Sequence, residues 1–196
     1  MGHDGSVQGD ILGPAELAFV GAARRAVLAT VRSDGRPRLV PICFVLAADR
    51  AGDRLPVLYS AIDDKPKLER DPRRLGRVRD LLARPSTVVL VDYWDEDWSR
   101  LAWVRLDGRA ELLEMADEAG EADEADRADD AERPDDADRA NDADLPDERA
   151  AAIALLRAKY PQYASHDLER QPIVRITVDR ASSWGDLGSD LGPDHS

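Results

Sequence analysis

Ala26-Val27-Leu28-Ala29-Thr30-Val31 runs into Arg32-Ser33-Asp34-Gly35-Arg36 and out again through Pro37-Arg38-Leu39-Val40-Pro41-Ile42-Cys43-Phe44-Val45-Leu46. Branched and apolar residues on both sides of a short polar run make two strands. Asp34-Gly35 followed by Pro37 is strong turn chemistry, so the strands form a hairpin. The first strand covers residues 26–31 and the second residues 38–46. A turn at 49–53 and a third strand over 55–62 extend the hairpin into an antiparallel meander. Upstream, residues 14–25 read as a short helix, with Pro14 at a first helical position.

Downstream the pattern alternates. Asp71-Pro72 has the form of a helix cap and first-turn proline, and the helix runs to about Ala83. Leu75, Val78 and Leu82 share one face of it, and Arg73, Arg74, Arg77 and Arg79 make the other face basic. A fourth strand over 86–92 is nearly all apolar, which predicts burial on both faces. A fifth spans 99–113, with a break at Asp107-Gly108. A helix over 148–160 and a sixth strand over 172–181 complete the chain. Six strands, two or three helices and no βαβ alternation give a mainly β fold, an antiparallel barrel with added helices.

Residues 115–146 do not belong to that pattern. They are Ala-Asp and Ala-Glu units with no aromatic residue, and they predict a disordered acidic insertion in a single domain spanning 14–184. Residues 1–13 and 185–196 read as loose termini. The chain carries 40 acids and 27 bases; residues 117–148 alone hold 16 acids and 3 arginines, so the other 164 residues balance at 24 of each. The net charge of −13 therefore belongs to one segment. The bulk charge does not support nucleic acid as a partner. The insertion lacks the glycine that a calcium-binding EF-hand loop needs at its turn.

Cys43 is the only cysteine, so no internal disulfide and no cysteine-rich zinc site exists. Of three histidines, His3 and His195 are terminal and only His166 lies within the predicted domain. Metal sites and Ser-His-Asp catalysis are thus poorly supplied. No apolar run reaches 18 residues, so nothing spans a membrane as a helix. Residues 1–10 lack a signal-peptide layout. Met1-Gly2 with Ser6 matches the bare myristoylation pattern, which is short enough to recur by chance. The expectation is a cytoplasmic protein.

Three features carry chemistry. The chain has 24 arginines and three lysines, and two of those lysines are Lys65 and Lys67. Held two residues apart by Pro66, after a strand and before a basic helix, they suit a phosphate or carboxylate clamp. The competing reading is a solvated loop whose lysines pair with Asp63 and Asp64. Pro41 interrupts a strand that otherwise reads as central, which happens at an edge, a bulge or a ligand-facing stretch. Cys43 beside it sits in an apolar run with no nearby histidine and reads as an inert core thiol rather than a nucleophile. Trp94, Trp98 and Trp103 cluster among charged residues, as at a subunit interface or a ring-stacking pocket, or simply as core.

Taken in order, Ala29-Thr30-Val31, Asp34-Gly35-Arg36-Pro37, Pro41, Tyr59-Ser60, Lys65-Pro66-Lys67, Val91-Asp92-Tyr93 and Asp97-Trp98-Ser99-Arg100-Leu101 resemble the pyridoxamine 5′-phosphate oxidase-like split-barrel family. More narrowly they resemble its actinobacterial branch that uses the deazaflavin coenzyme F-420. The resemblance covers most of 14–113 and 148–184, and the acidic insertion departs from it. It implies a homodimer of six-stranded split barrels with the cofactor in a groove at the subunit interface. Lys65 and Lys67 would hold the cofactor phosphate. Pro41, Ile42, Cys43, Tyr59 and Ser60 would line the ring. Arg77 and Arg79 would meet the carboxylates of a polyglutamate tail.

The implied activity is hydride transfer between the deazaflavin and an unsaturated small-molecule substrate. No side chain stands out as a general acid, so no catalytic residue is assigned. An FMN-dependent oxidase or flavin reductase of the same fold is the alternative, because both cofactors present a phosphate on a ribityl chain. A non-catalytic flavin- or deazaflavin-binding module is the other.

Overall fold

A computed structural model of the chain describes residues 11–48, 55–62, 72–113 and 145–188. The lysine pair and nearly all of the predicted insertion lie outside those residues. The elements are α1 (Pro14–Ala22), β1 (Ala26–Val31), β2 (Pro37–Ile42), β3 (Val45–Ala48), β4 (Pro56–Ala61), α2 (Gly76–Ala83), β5 (Ser86–Tyr93), β6 (Ala102–Leu113), α3 (Leu145–Lys159) and β7 (Ile173–Gly185). Short 3-10 turns stand at Pro72–Arg74, Trp98–Arg100, Pro161–Ser165 and Leu168–Arg170.

The β1–β2 hairpin forms as its turn chemistry predicts. Gly35 takes a φ of +83° and opens the turn. The Arg36 N–H donates to the Asp34 carboxylate at 3.1 Å, and the Arg32 N–H donates to the Arg36 carbonyl at 3.0 Å. Pairing then runs from Val31 opposite Pro37 to Ala26 opposite Ile42.

The strands join in one antiparallel sheet, ordered β2-β1-β5-β6-β7-β4-β3. There are seven strands rather than six, because the predicted second strand divides at Cys43-Phe44. Its two halves, β2 and β3, lie at opposite edges of the sheet, yet only two residues separate them. The sheet must therefore curl until its edges meet at that corner, which makes a split barrel. Pro41 is tolerated because β2 is an edge strand, with Val27 opposite it on one side only.

Tyr160 holds the corner. The Phe44 N–H donates to the Tyr160 hydroxyl at 3.0 Å, and that hydroxyl lies 2.8 Å from the carbonyls of both Phe44 and Arg24. One phenol thus serves main-chain groups that have no ladder partner.

β6 and β7 form the longest ladder, with a register shift at Asp107/Gly108, as the sequence predicts. A side chain at Gly108 would begin 2.3 Å from the Thr177 carbonyl, so the bulge requires glycine. β7 runs on to Gly185 instead of stopping at 181, because β6 supplies partners that far, with Trp184 opposite Trp103. β5 alternates rather than being buried throughout: Thr87, Val89, Val91 and Tyr93 are buried, while Val88 and Leu90 are half-buried. One face of the antiparallel sheet packs on the core and the other is partly open.

Two apolar cores result. The larger gathers Phe19 and Val20 of α1, Val78 and Leu81 of α2, and inward residues such as Leu28, Leu58, Val89, Val104 and Ile176. The smaller lies under α3, where Ala152, Ile153 and Leu156 pack with Val45, Val57, Tyr59 and Ile173. Among the described residues no helix is long and apolar enough to cross a membrane.

Candidate functional site

The predicted site residues fall on both sides of the barrel wall. Pro41 is exposed on the outer edge of β2. Ile42 turns into the larger core. Cys43 is half-buried and packs against the smaller core, which also contains Tyr59. Ser60 is 4% exposed, with Val174 of β7 opposite it. The structure thus brings Cys43 and Tyr59 to the α3 side and sets Ile42 on the other side.

Arg77 and Arg79 ride on α2, Arg77 half-buried and Arg79 exposed. The helix is fixed by Asp80, which is 7% exposed. The Asp80 carboxylate accepts from Arg38 Nε at 2.7 Å and from the Thr30 hydroxyl at 2.9 Å, tying α2 to β2 and β1. Burial opposes the charge on Asp80, but those hydrogen bonds and the Arg38 charge outweigh it and hold the carboxyl below its usual range. Gly76 leaves room for the tie, since a Cβ there would begin 2.6 Å from the Arg38 guanidinium.

A second polar cluster joins β4, β7 and α3. The Tyr59 hydroxyl donates to Glu148, and Arg175 Nε donates to the same Glu148 oxygen at 2.8 Å. Arg175 also reaches Glu111 at 2.8 Å. Burial, then the hydrogen bond and charge of Glu148, push the Tyr59 phenol up, so it stays a committed donor. Beside this cluster opens a cavity of about 310 Å³, lined by Ala47, Tyr59, Glu148, Ala151, Ala152, Ala154 and Leu155.

Lys159 is the third feature. Its Nζ is shielded from solvent and has no hydrogen-bond partner among the described residues. It sits 4.5 Å above the Phe44 ring and 5.8 Å from the Tyr160 ring. Burial, reinforced by the Arg24 charge, brings its ammonium down to about 8.

Sequence reasoning missed Asp80, Glu148, Lys159, Tyr160 and Arg175 as a set. Only Arg175 left a signal, as a charged residue on a strand that turns out to be covered by a helix. The tryptophans are more open than their surroundings predict: Trp94 is 64% and Trp98 72% exposed, with Trp184 joining them at 56%. Among the described residues no three His, Cys, Asp or Glu side chains converge as a metal site.

Comparison with known proteins adds the family context. The family profile described as pyridoxamine 5′-phosphate oxidase matches residues 12–185. Solved structures of the same fold include a conserved hypothetical protein of Mycobacterium tuberculosis, 18% identical over 96% of this chain and 98% of that one, with a TM-score of 0.54. A FAD-binding protein of Mesorhizobium loti is 20% identical over 88% of this chain and 94% of its own, with a TM-score of 0.52. A heme-binding protein of Mycobacterium smegmatis is also 20% identical, with a TM-score of 0.52, over 91% of this chain and 56% of its own. At these identities the likeness is one of fold. Nothing among the curated proteins matches the sequence.

Proposed function

This chain belongs to the pyridoxamine 5′-phosphate oxidase family, and from that premise we propose that it is an oxidoreductase using the deazaflavin coenzyme F-420 on an unsaturated small molecule. The observation that carries the reading is the order of its cationic groups: Lys65-Pro66-Lys67 comes after β4, beyond Ile62-Asp63-Asp64, and precedes a helix bearing Arg77 and Arg79. The corner where β2 and β3 part supports it. Among the described residues each is an edge strand with one side of its main chain unpaired in the sheet, and such edges suit the polar rim of a flat heterocycle.

In this reading Lys65 and Lys67 hold the cofactor phosphate. Arg77 and Arg79 meet the carboxylates of its acidic tail, held in place through Asp80. Pro41, Ile42, Cys43, Tyr59 and Ser60 form the wall behind the ring, with Pro41 the member open to solvent. When bound, the deazaflavin supplies the hydride. No residue of the chain is assigned as the proton donor. FMN is the second reading, since its phosphate would meet the same lysines. The arginine face of α2 favours the deazaflavin, because FMN has no acidic tail for it to meet.

The test is to titrate the purified protein with F-420 and with FMN while following tryptophan fluorescence. F-420 should bind the tighter of the two. Lys65→Ala and Lys67→Ala should each weaken it by roughly ten- to a hundredfold, the worth of a charge-assisted bond to phosphate. A double variant that binds both cofactors as tightly as the unaltered protein would overturn the clamp. Tighter binding of FMN would move the reading to the flavin. We further infer that the protein works as a homodimer, with the cofactor groove between subunits.

A further inference from the structure

We infer that the cavity between α3 and the β3–β4 hairpin is a further binding site, for a compact, apolar molecule that carries a protonated amine. Its walls are Ala47 of β3 and Ala151, Ala152, Ala154 and Leu155 of α3. Four alanines leave the space, and at about 310 Å³ it lies at the lower end of the range for small-molecule sites. Leu155 is 42% exposed, so the apolar wall continues to the mouth.

One end of this apolar space is polar. Tyr59 and Glu148 line it, and the Tyr59 hydroxyl is already spent on Glu148. Glu148 Oε1 accepts from both Tyr59 and Arg175. Its Oε2 accepts no hydrogen bond among the described residues, and the side chain keeps 23% exposure. Among the described residues the site therefore offers a hydrogen-bond acceptor and no unspent donor.

The carboxylate charge selects the ligand further. Among the described residues Arg175 bridges two carboxylates, Glu148 at 2.8 Å and Glu111 at 2.8 Å, so Glu148 shares this counter-ion with a second acid. A neutral ligand with a hydroxyl would satisfy Oε2, but an ammonium would also meet the charge of a carboxylate that shares Arg175 with Glu111, in surroundings drier than bulk water. The cavity shares Tyr59 with the wall of the proposed cofactor site, and its other lining residues lie outside that wall.

Tryptamine and its neutral counterpart tryptophol are suitable probes, measured by calorimetry on the full-length, cofactor-free protein. Tryptamine should bind about tenfold more tightly than tryptophol, the difference between a charge-assisted and a neutral hydrogen bond. Glu148→Gln should bring tryptamine down to the level of tryptophol. Ala151→Leu, which fills the space one helical turn from Glu148, should abolish binding of both. Absence of tryptamine binding at millimolar concentration, equal affinity for the two probes, or unchanged binding in Ala151→Leu would each overturn the inference. Should Glu148→Gln fail to fold, the comparison of probes and the Ala151→Leu variant decide the question without it.

Discussion

Tyr160 and Lys159 are adjacent in sequence and do opposite things at the corner of the barrel. The Tyr160 hydroxyl is the hydrogen-bond partner of Phe44 on both its N–H and its carbonyl side. Tyr160→Phe keeps the ring and removes that partner, leaving a buried N–H unsatisfied. The expected loss is about 1–3 kcal/mol of unfolding free energy, read from urea denaturation. Lys159 instead carries a charge into a site where its Nζ finds aromatic faces but no acceptor among the described residues. Its ammonium titrates at about 8 when folded, against 10.5 as the ordinary value. Between those two pH values the unfolded chain binds more protons than the folded one, so this group makes stability rise with pH across that window. Lys159→Met removes the dependence. The variant should gain stability over the unaltered protein at pH 7, and the gain should shrink towards pH 10. A difference that stays flat from pH 7 to 10 would show that the amine is solvated.

At the scale of elements, α2 depends on one carboxylate. Its stability contribution through Asp80 requires the charged form, because Arg38 and Thr30 both donate to it. The folded carboxyl titrates below its ordinary value of 3.8. The contribution is therefore complete above pH 3.8 and is lost as the pH falls through the lower, folded value. Asp80→Asn should cost about 2–3 kcal/mol at pH 7, less than a fully buried pair because Arg38 is 33% exposed. The unaltered protein and Asp80→Asn should converge in stability below pH 3.8; a constant gap would mean that packing, not charge, is what Asp80 supplies. Elements whose cause is local were legible in the sequence. Asp34-Gly35 makes its turn, Asp107-Gly108 makes its bulge, and Pro14 opens its helix. What stayed hidden depends on partners far away in the chain. The break at Cys43-Phe44 leaves the apolar run intact, and the side chain that stabilises it is 116 residues on. Glu148 is 89 residues from Tyr59. No spacing rule reaches across such distances, so the polar cluster under α3 could be read only from the fold.

For the molecule as a whole, charge and apolar surface are separated along the chain. The surplus acids lie in residues 117–148, while both apolar cores are built from other segments, apart from the α3 residues that follow. Deleting residues 116–144 should therefore leave the melting temperature within a few degrees of the full chain; a drop beyond ten degrees would make the segment structural. The apolar surface is the more demanding case. Trp94, Trp98 and Trp184 expose 64%, 72% and 56% of their surface, and Trp184 lies directly across from half-buried Trp103 on β6. Tryptophans are poorly matched to water, and several open ones are expected where another protein surface will cover them. The proposed occupant is a second copy of the chain. Light scattering at micromolar concentration should give twice the chain mass of 21.6 kDa. Because the contact would be apolar, that mass should persist in 1 M salt, where exposed ion pairs are screened. Trp94→Glu together with Trp98→Glu places like charges on the same surface of both copies and should return the monomer mass with the melting profile still cooperative. If the unaltered protein scatters as a monomer, the tryptophans need another explanation and a cofactor groove between subunits is lost with the dimer.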